Sequence, residues 1–282
     1  MRSDNPWYKL LQDDGFWRSV EERGYYHHQS SFPSYVKKYN LQLSRDTPYY
    51  LSIDFWSEQS KTLTDKKLYV IRTGTGSFAI FDEKRFPKPY LQLETSNARE
   101  MQISEVAGYK HLKKAYADHH QEDPNLERLY LTDIYEQLVE KTCGTSKFFR
   151  GPRGNRYSEF RLYFRDTKGD VSRFNYKGQE DLDYSLWTEE SVLVIETKQN
   201  QPHGGLDIGW HKLAYPAQRF RYENLNVIPV YYLRVKDVIF LFVFNKMKFE
   251  EGGIVLNDYT QFVPSMTFRI DLDPESRLTH FV

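Results

Sequence analysis

Val192-Leu193-Val194-Ile195-Glu196-Thr197-Lys198 is the stretch on which the reading of this chain turns. Four aliphatic residues in succession, three of them β-branched, favour a strand, and the run is too short for a helix. Successive strand side chains alternate faces, so Glu196 and Lys198 share one face, about 6 to 7 Å apart, while Thr197 points to the other. Upstream, Asp181 to Trp187 reads as a partner strand, with Thr188-Glu189-Glu190-Ser191 as the turn. A hairpin centred between Glu189 and Glu190 sets Asp183 opposite Glu196, which brings their Cβ atoms to about 4.5 to 5.5 Å. The same register puts Leu182, Tyr184 and Leu186 with Leu193, Ile195 and Thr197 on the reverse face, where they can be buried.

Working outward, further strands are expected at Glu159–Phe164, Val171–Tyr176, Val227–Leu233 and Val238–Phe244, with a helix over Leu206–Tyr215 that Pro216 ends. Before them lie two helical stretches. One runs from Ser104 to Ala117; the other begins at Asp123-Pro124-Asn125, carries the stripe Leu126, Leu129, Tyr130, Ile134 and Leu138, and stops at Gly144. The order suggests an α/β (α+β) unit with helices on a mixed β-sheet. Near the N-terminus, Pro6–Arg23 reads as a helix stopped by Gly24, and Tyr50 to Phe55, Leu68–Arg72 and Ser77–Phe81 read as strands. Phe86-Pro87-Lys88-Pro89 excludes regular structure. The chain therefore divides into an N-terminal mixed α/β module, residues 1–98, and a second domain, residues 99–282.

Composition bounds the class. Of 282 residues, 39 are Lys or Arg and 39 are Asp or Glu, so any nucleic-acid binding must come from local patches. Cys143 is the single cysteine, which excludes a disulfide framework or a multi-cysteine zinc site and suits a reducing compartment. The start, Met1-Arg2-Ser3-Asp4, lacks an apolar signal core. The longest apolar run, Val238 to Phe244, is far below the ~20 residues a bilayer requires. A soluble cytoplasmic protein without a membrane partner is expected.

Two carboxylates beside a lysine suit phosphodiester hydrolysis. A hard divalent ion prefers oxygen ligands and keeps several waters. Asp183 and Glu196 would hold magnesium, with manganese as a substitute and the Thr197 carbonyl as a further ligand. Lys198 would position the attacking water or assist its deprotonation. Other acid-any-lysine triplets lack this setting. Asp65-Lys66-Lys67 precedes its strand, and Asp166-Thr167-Lys168 runs into a turn at Gly169-Asp170. Asp82-Glu83-Lys84 follows a strand, but a hairpin centred on Gly74 and Thr75 sets Lys67, not an acid, opposite Asp82.

Asp183 with Val192–Lys198 resembles the core motif of the PD-(D/E)XK phosphodiesterase superfamily, which includes most type II restriction endonucleases. Gly178 to Asp183 resembles the lead-in to the first acid, with Leu182 where a proline is typical, and Leu213-Ala214-Tyr215-Pro216 resembles the end of the following helix. The likeness covers roughly Gly151 to Val263. It implies a restriction-endonuclease-like core, a catalytic set of Asp183, Glu196 and Lys198, double-stranded DNA as substrate and, in many members, a homodimer. Some relatives carry an accessory glutamine near the Leu-Ala-Tyr-Pro stretch. Lys212 stands at that place here, and Gln199 and Gln218 are the nearby amides. Others add an acid from the preceding helix, for which Glu136 and Glu140 are the candidates.

From Lys147 to Arg165 six basic residues face Glu159 alone, and Gly151, Pro152 and Gly154 break the chain into a loop. Lys147, Arg150, Arg153 and Arg156 are the candidate phosphate contacts. The pairs His27-His28 and His119-His120 lack two-ligand geometry, since adjacent side chains diverge. His203 and His211 lie near the candidate site in sequence, and Gly74-Thr75-Gly76 is a hairpin turn. By fold-level analogy, residues before about Ala98 would read DNA sequence. The expected function is that of a magnesium-dependent type II restriction enzyme. A repair or mobile-element nuclease with the same core and a non-catalytic DNA-binding protein are the alternatives.

Overall fold

The computed structural model describes residues 5–272 apart from 44, 103, 105–128, 130–131 and 200–205, and for 199 the backbone alone. The expected helix at 104–117, the Asp123-Pro124-Asn125 cap, His119-His120 and His203 therefore lie outside the described residues.

Helix α1 (Asp14–Arg23) starts where the Asp13 carboxylate accepts from Gly15 N–H and stops at Gly24, whose φ of 79° is the left-handed cap that glycine adopts without strain. The chain continues through β1 (Tyr25–His28), α2 (Phe32–Lys38), α3 (Thr47–Leu51), α4 (Lys61–Thr64), β2 (Leu68–Arg72) and β3 (Phe78–Asp82). The strand expected at Tyr50 to Phe55 is absent. Pro48 sits in the first turn of α3, where a missing N–H is harmless, and Ile53 and Phe55 are buried in irregular chain. The pairing of β2 with β3 is also shifted by one residue from the expected register, with Leu68 rather than Lys67 opposite Asp82. The three strands form a sheet in the order β1-β3-β2, packed by Trp7, Phe16, Phe32 and Tyr35.

After β4 (Tyr90–Gln92) and β5 (Arg99–Glu100) comes α5 (Ile134–Cys143), closed by Gly144 in the left-handed region. Then follow β6 (Phe149–Arg150), β7 (Gly154–Arg165), β8 (Val171–Leu182), β9 (Tyr184–Trp187), β10 (Ser191–Gln199) and β11 (Asp207–Gly209). Helix α6 (Trp210–Ala217) precedes β12 (Asn226–Val235), β13 (Val238–Phe244), β14 (Gly253–Val255) and β15 (Pro264–Asp271). Pro216 lies inside the last turn of α6 instead of ending it, and the three residues before the helix form β11 against β4. In so short a helix, proline removes only the bond that would reach Lys212 O.

The principal sheet has seven strands in the order β5-β15-β13-β12-β10-β9-β6. Strand β10 is parallel to β12, because the chain returns between them through α6, and antiparallel to β9. Alternating residues of the central strands feed two cores. Val192, Val194, Tyr231 and Phe242 pack with α6 on one face, while Leu193, Ile195, Val230 and Leu241 pack with Ile134, Tyr135 and Leu138 of α5 on the other. Each such side chain contributes roughly 1.5 to 3 kcal/mol by leaving water. The first core also contains Tyr69, Phe81 and Tyr90, so its residues come from both sides of position 98. The fold is thus mixed α/β, with several mixed and antiparallel sheets and few helices. No described helix is long and apolar enough to cross a membrane.

A separate sheet, ordered β14-β7-β8, stands beside this core. Two contacts fix β8. Arg219, just after α6, donates through Nε to Glu180 Oε1 at 2.6 Å and also to the Glu180 and Gly154 carbonyls, almost wholly buried. At the edge of β8, Thr75 N–H in the turn between β2 and β3 donates to Lys177 O at 2.6 Å. That approach needs glycine at 178, since a Cβ there would stand 2.9 Å from Thr75 N. The expected turn at Asp166 is present, with Gly169 at φ 92° and the Asp166 carboxylate paired to Arg85 at 3.1 Å.

Candidate active site

Strands β9 and β10 pair Val192 with Trp187, Leu193 with Leu186, Val194 with Ser185 and Ile195 with Tyr184. Continuing that register by one step sets Asp183 against Glu196, as the sequence predicts. Asp183 itself falls in the break between β8 and β9, and its carboxylate substitutes for a strand. Oδ2 accepts from Thr197 N–H at 2.7 Å and from Thr197 Oγ1 at 2.8 Å. Thr197 is buried, so these bonds clamp Asp183 to the end of β10. In an extended strand the N–H and C=O of one residue point to the same side, so the Thr197 carbonyl faces the edge that Asp183 lines.

Glu196 is 3% exposed and sits among charges. Lys198 Nζ lies 3.2 Å from its Oε1 and Lys212 Nζ lies 3.5 Å from the same oxygen. Both ammoniums also reach Asp54, Lys212 at 3.2 Å from Oδ1 and Lys198 at 3.5 Å from Oδ2. The result is a closed ring in which two acids alternate with two lysines. Burial pushes the Glu196 carboxyl up to about 7, and the negative charges of Asp183 and Asp54 work in the same direction while Lys212 and Lys198 oppose them. For Asp54 burial also acts upward, but Lys212 and Lys198 outweigh it and hold the carboxyl below its ordinary value. Burial works against the charge on Lys212, yet Glu196 and Asp54 raise it above the ordinary lysine value.

Glu196 and Lys212 of the ring line a cleft of about 810 Å³, within the range of ligand sites, while Asp54, Lys198 and Asp183 are not among its lining residues. One side is built by Ser31, Pro33, Thr47, Pro48 and Leu51 of the N-terminal part, the other by Asn155, Tyr157, Gln179 and Asp181 of β7 and β8. Glu196, Lys212, His211 and Tyr215 lie between. His211 is buried and its pKa is lowered to about 3, chiefly by burial, so it stands there as a neutral ring. It folds back over Gly209, where a Cβ would come within 2.3 Å of His211 Cε1.

Other candidates lie elsewhere. Glu136 and Glu140 are exposed on α5, whose buried side packs against Leu193 and Ile195. That is the face of β10 opposite Glu196, so neither acid can complete the site. Gln218 is fully buried beyond α6, and neither end of its amide finds a partner. It does not line the cleft. The Gln199 side chain falls outside the described residues. Lys147, Arg150, Arg153 and Arg156 are all exposed, along β6 and the start of β7, and the Arg150 guanidinium is 5.0 Å from the Tyr184 ring centre. Arg165 of the same run is instead bound to Glu250 at 2.8 Å. Gly151 serves packing, because a Cβ would come within 2.3 Å of both Trp187 and Ser185, and its N–H donates to Ser185 O.

Sequence reasoning missed two members of the ring. Lys212 was visible at the place of the accessory glutamine. Asp54 carried no local signal, because only tertiary packing brings it to β10.

The donor set can be tested against magnesium. Carboxylate oxygens of Asp183 and Glu196 are the hard ligands this ion prefers, although Glu196 Oε1 already meets two ammoniums and Asp183 Oδ2 two donors of Thr197. Among the described residues no group of three His, Cys, Asp or Glu side chains is arranged to hold a metal. An ion there would be held by two protein carboxylates and would take water for its remaining ligands.

No family model matches the chain, and no curated protein matches it. A solved structure, "Crystal structure of SSO0001", is 14% identical over 55% of this chain and 70% of its own, with a TM-score of 0.18. A likeness that slight carries no argument about fold or function.

Proposed function

We propose that this protein is a metal-dependent endonuclease with a restriction-endonuclease-like core, which hydrolyses phosphodiester bonds of double-stranded DNA in the cytoplasm. The observation that carries the reading is the β9–β10 register, which directs Asp183 toward Glu196 while Lys198 meets the Glu196 carboxylate at 3.2 Å. The parallel return from β10 through α6 to β12 and the cleft beside Glu196 also support it.

Asp183 and Glu196 would hold the ion, with the Thr197 carbonyl alongside. When bound, a divalent ion supplies a water of lowered pKa and offsets charge on the phosphate. Thr197 orients Asp183 through two hydrogen bonds. Lys198, held as an ammonium by Glu196 and Asp54, would orient the attacking water while its charge compensates the acids. Lys147, Arg150, Arg153 and Arg156 would contact the backbone of the duplex, whose affinity is then salt-dependent. A type II restriction enzyme acting as a homodimer is the specific form proposed, since two sites then address two strands.

The test is cleavage of plasmid DNA in magnesium by the wild type and by Asp183→Ala, Glu196→Ala and Lys198→Ala. Cleavage by the wild type, lost in each variant while DNA binding persists, is expected. Full activity in any folded variant would refute the assignment. An intact plasmid across metals and sequences would favour a DNA-binding protein whose acids and lysines are structural. Cleavage independent of a fixed sequence would favour a repair or mobile-element nuclease.

A further inference from the structure

The ring contains one acid more than the assigned site uses. Asp54 comes from the segment between α3 and the short 3-10 turn Trp56–Glu58, and that segment is anchored by backbone. Gly209 N–H donates to Asp54 O at 2.7 Å, and Trp56 N–H donates to Asp207 Oδ2 at 2.9 Å. Asp54 N–H and Phe55 N–H donate to Glu58 Oε2 at 2.9 and 3.2 Å. These bonds reach both ends of β11, directly before Lys212 on α6. The Asp54 carboxylate is thus held at a set place relative to the lysine.

Charge counting shows what that place does. Glu196 and Asp183 balance Lys198 and Lys212, so without Asp54 the cluster has no net charge to attract a divalent cation, and Asp54 makes it net negative. Asp54 also gives Lys212 a nearer partner, 3.2 Å against 3.5 Å to Glu196. We propose that Asp54 is a positioning residue that draws Lys212 off Glu196 and thereby sets the affinity of Glu196 and Asp183 for a divalent cation. This rests on the metal-site reading given above. The lysine is a built-in competitor for the cation, and Asp54 is where the competitor is kept.

The consequence is a pair of substitutions with opposite effects. Asp54→Asn removes the nearer partner of Lys212 and leaves that ammonium to Glu196, so the cation must displace it. Lys212→Met removes one competitor. Combined, the two should bind about as Lys212→Met alone does, because the asparagine weakens binding through the lysine that the methionine deletes. If Asp54 merely supported the fold, Lys212→Met would not restore what Asp54→Asn removed.

The experiment titrates the full chain with Mn2+ alone, without DNA, at pH 8, and reads free Mn2+ by electron paramagnetic resonance, with circular dichroism as the check on folding. Relative to the wild type, Asp54→Asn is expected to weaken binding by about ten- to hundredfold, as loss of an outer partner commonly does, and Lys212→Met to tighten it by about tenfold. The double variant should bind within about threefold of Lys212→Met; a double variant weakened relative to Lys212→Met as much as Asp54→Asn weakens the wild type overturns the proposal. Wild-type binding that Asp54→Asn leaves unchanged overturns the role of Asp54 but not the metal site. If Asp54→Asn does not fold, Lys212→Met decides, and binding no tighter than in the wild type overturns the proposal. A wild type that binds no Mn2+ overturns the metal-site reading and this inference with it.

Discussion

Glu196→Gln isolates the energetic consequence of burying an acid at the end of β10. Burial raises its carboxyl from the ordinary 4.5 to about 7. A carboxyl with a raised folded-state pKa favours the fold while protonated, so its contribution is fully present below 4.5 and is lost as pH rises through 7. At about 1.4 kcal/mol per unit, the loss between pH 4.5 and pH 8 is about 3 kcal/mol. Glutamine cannot ionise and keeps the shape. The variant should therefore match the wild type near pH 4.5 and exceed it by about 3 kcal/mol at pH 8. Urea unfolding of both proteins in chelator, at half-unit steps from pH 4.5 to 8.5, measures the difference directly. Parallel stability curves would refute the reasoning, because they would mean that the lysine pair fully offsets the burial of Glu196. A wild type that gains stability over the variant as pH rises would refute it more strongly.

Two further outcomes follow from the same structure. Arg219→Met leaves Glu180 buried with its ion-pair partner gone, so a loss of about 3 to 5 kcal/mol in urea unfolding is expected at pH 8, shrinking in acid where Glu180 can protonate. A loss below about 1 kcal/mol would show that this pair does not hold β8 to α6. If the exposed arginines of β7 and the loop before it meet phosphate, replacing Arg153 and Arg156 by Ala should lower the salt dependence of DNA affinity by about one power of salt for each contact removed. An unchanged slope would take them out of the interface.

The β9–β10 hairpin was legible because its evidence is local. Both faces of β10 are buried, so the register rests on the turn, and Thr188 to Ser191 between two short apolar runs centres the pairing. The β2–β3 hairpin shows the limit of that logic. Its flanking residues Leu68 to Ile71 and Phe78 to Phe81 are buried at every position, so no alternation pins the register and the expected pairing was off by one. The segment from Tyr50 to Phe55 failed for a related reason. Its apolar residues are buried whatever their local conformation, and Pro48 started a short helix instead.

The sequence alone determined the acid-lysine strand, its pairing partner, the absence of a cysteine framework and the mixed α/β character, because each depends on periodicity or composition. Tertiary structure alone decided which charges face Glu196. Alternation places Glu196 and Lys198 on one face of β10, but it says nothing of what packs there. Asp54 arrives from the N-terminal part and Lys212 from α6, and the same packing leaves Glu136 and Glu140 across the sheet. Coulombic interactions act through space while sequence patterns act along the chain, so the partners of a buried charge are known only once the chain has folded around it.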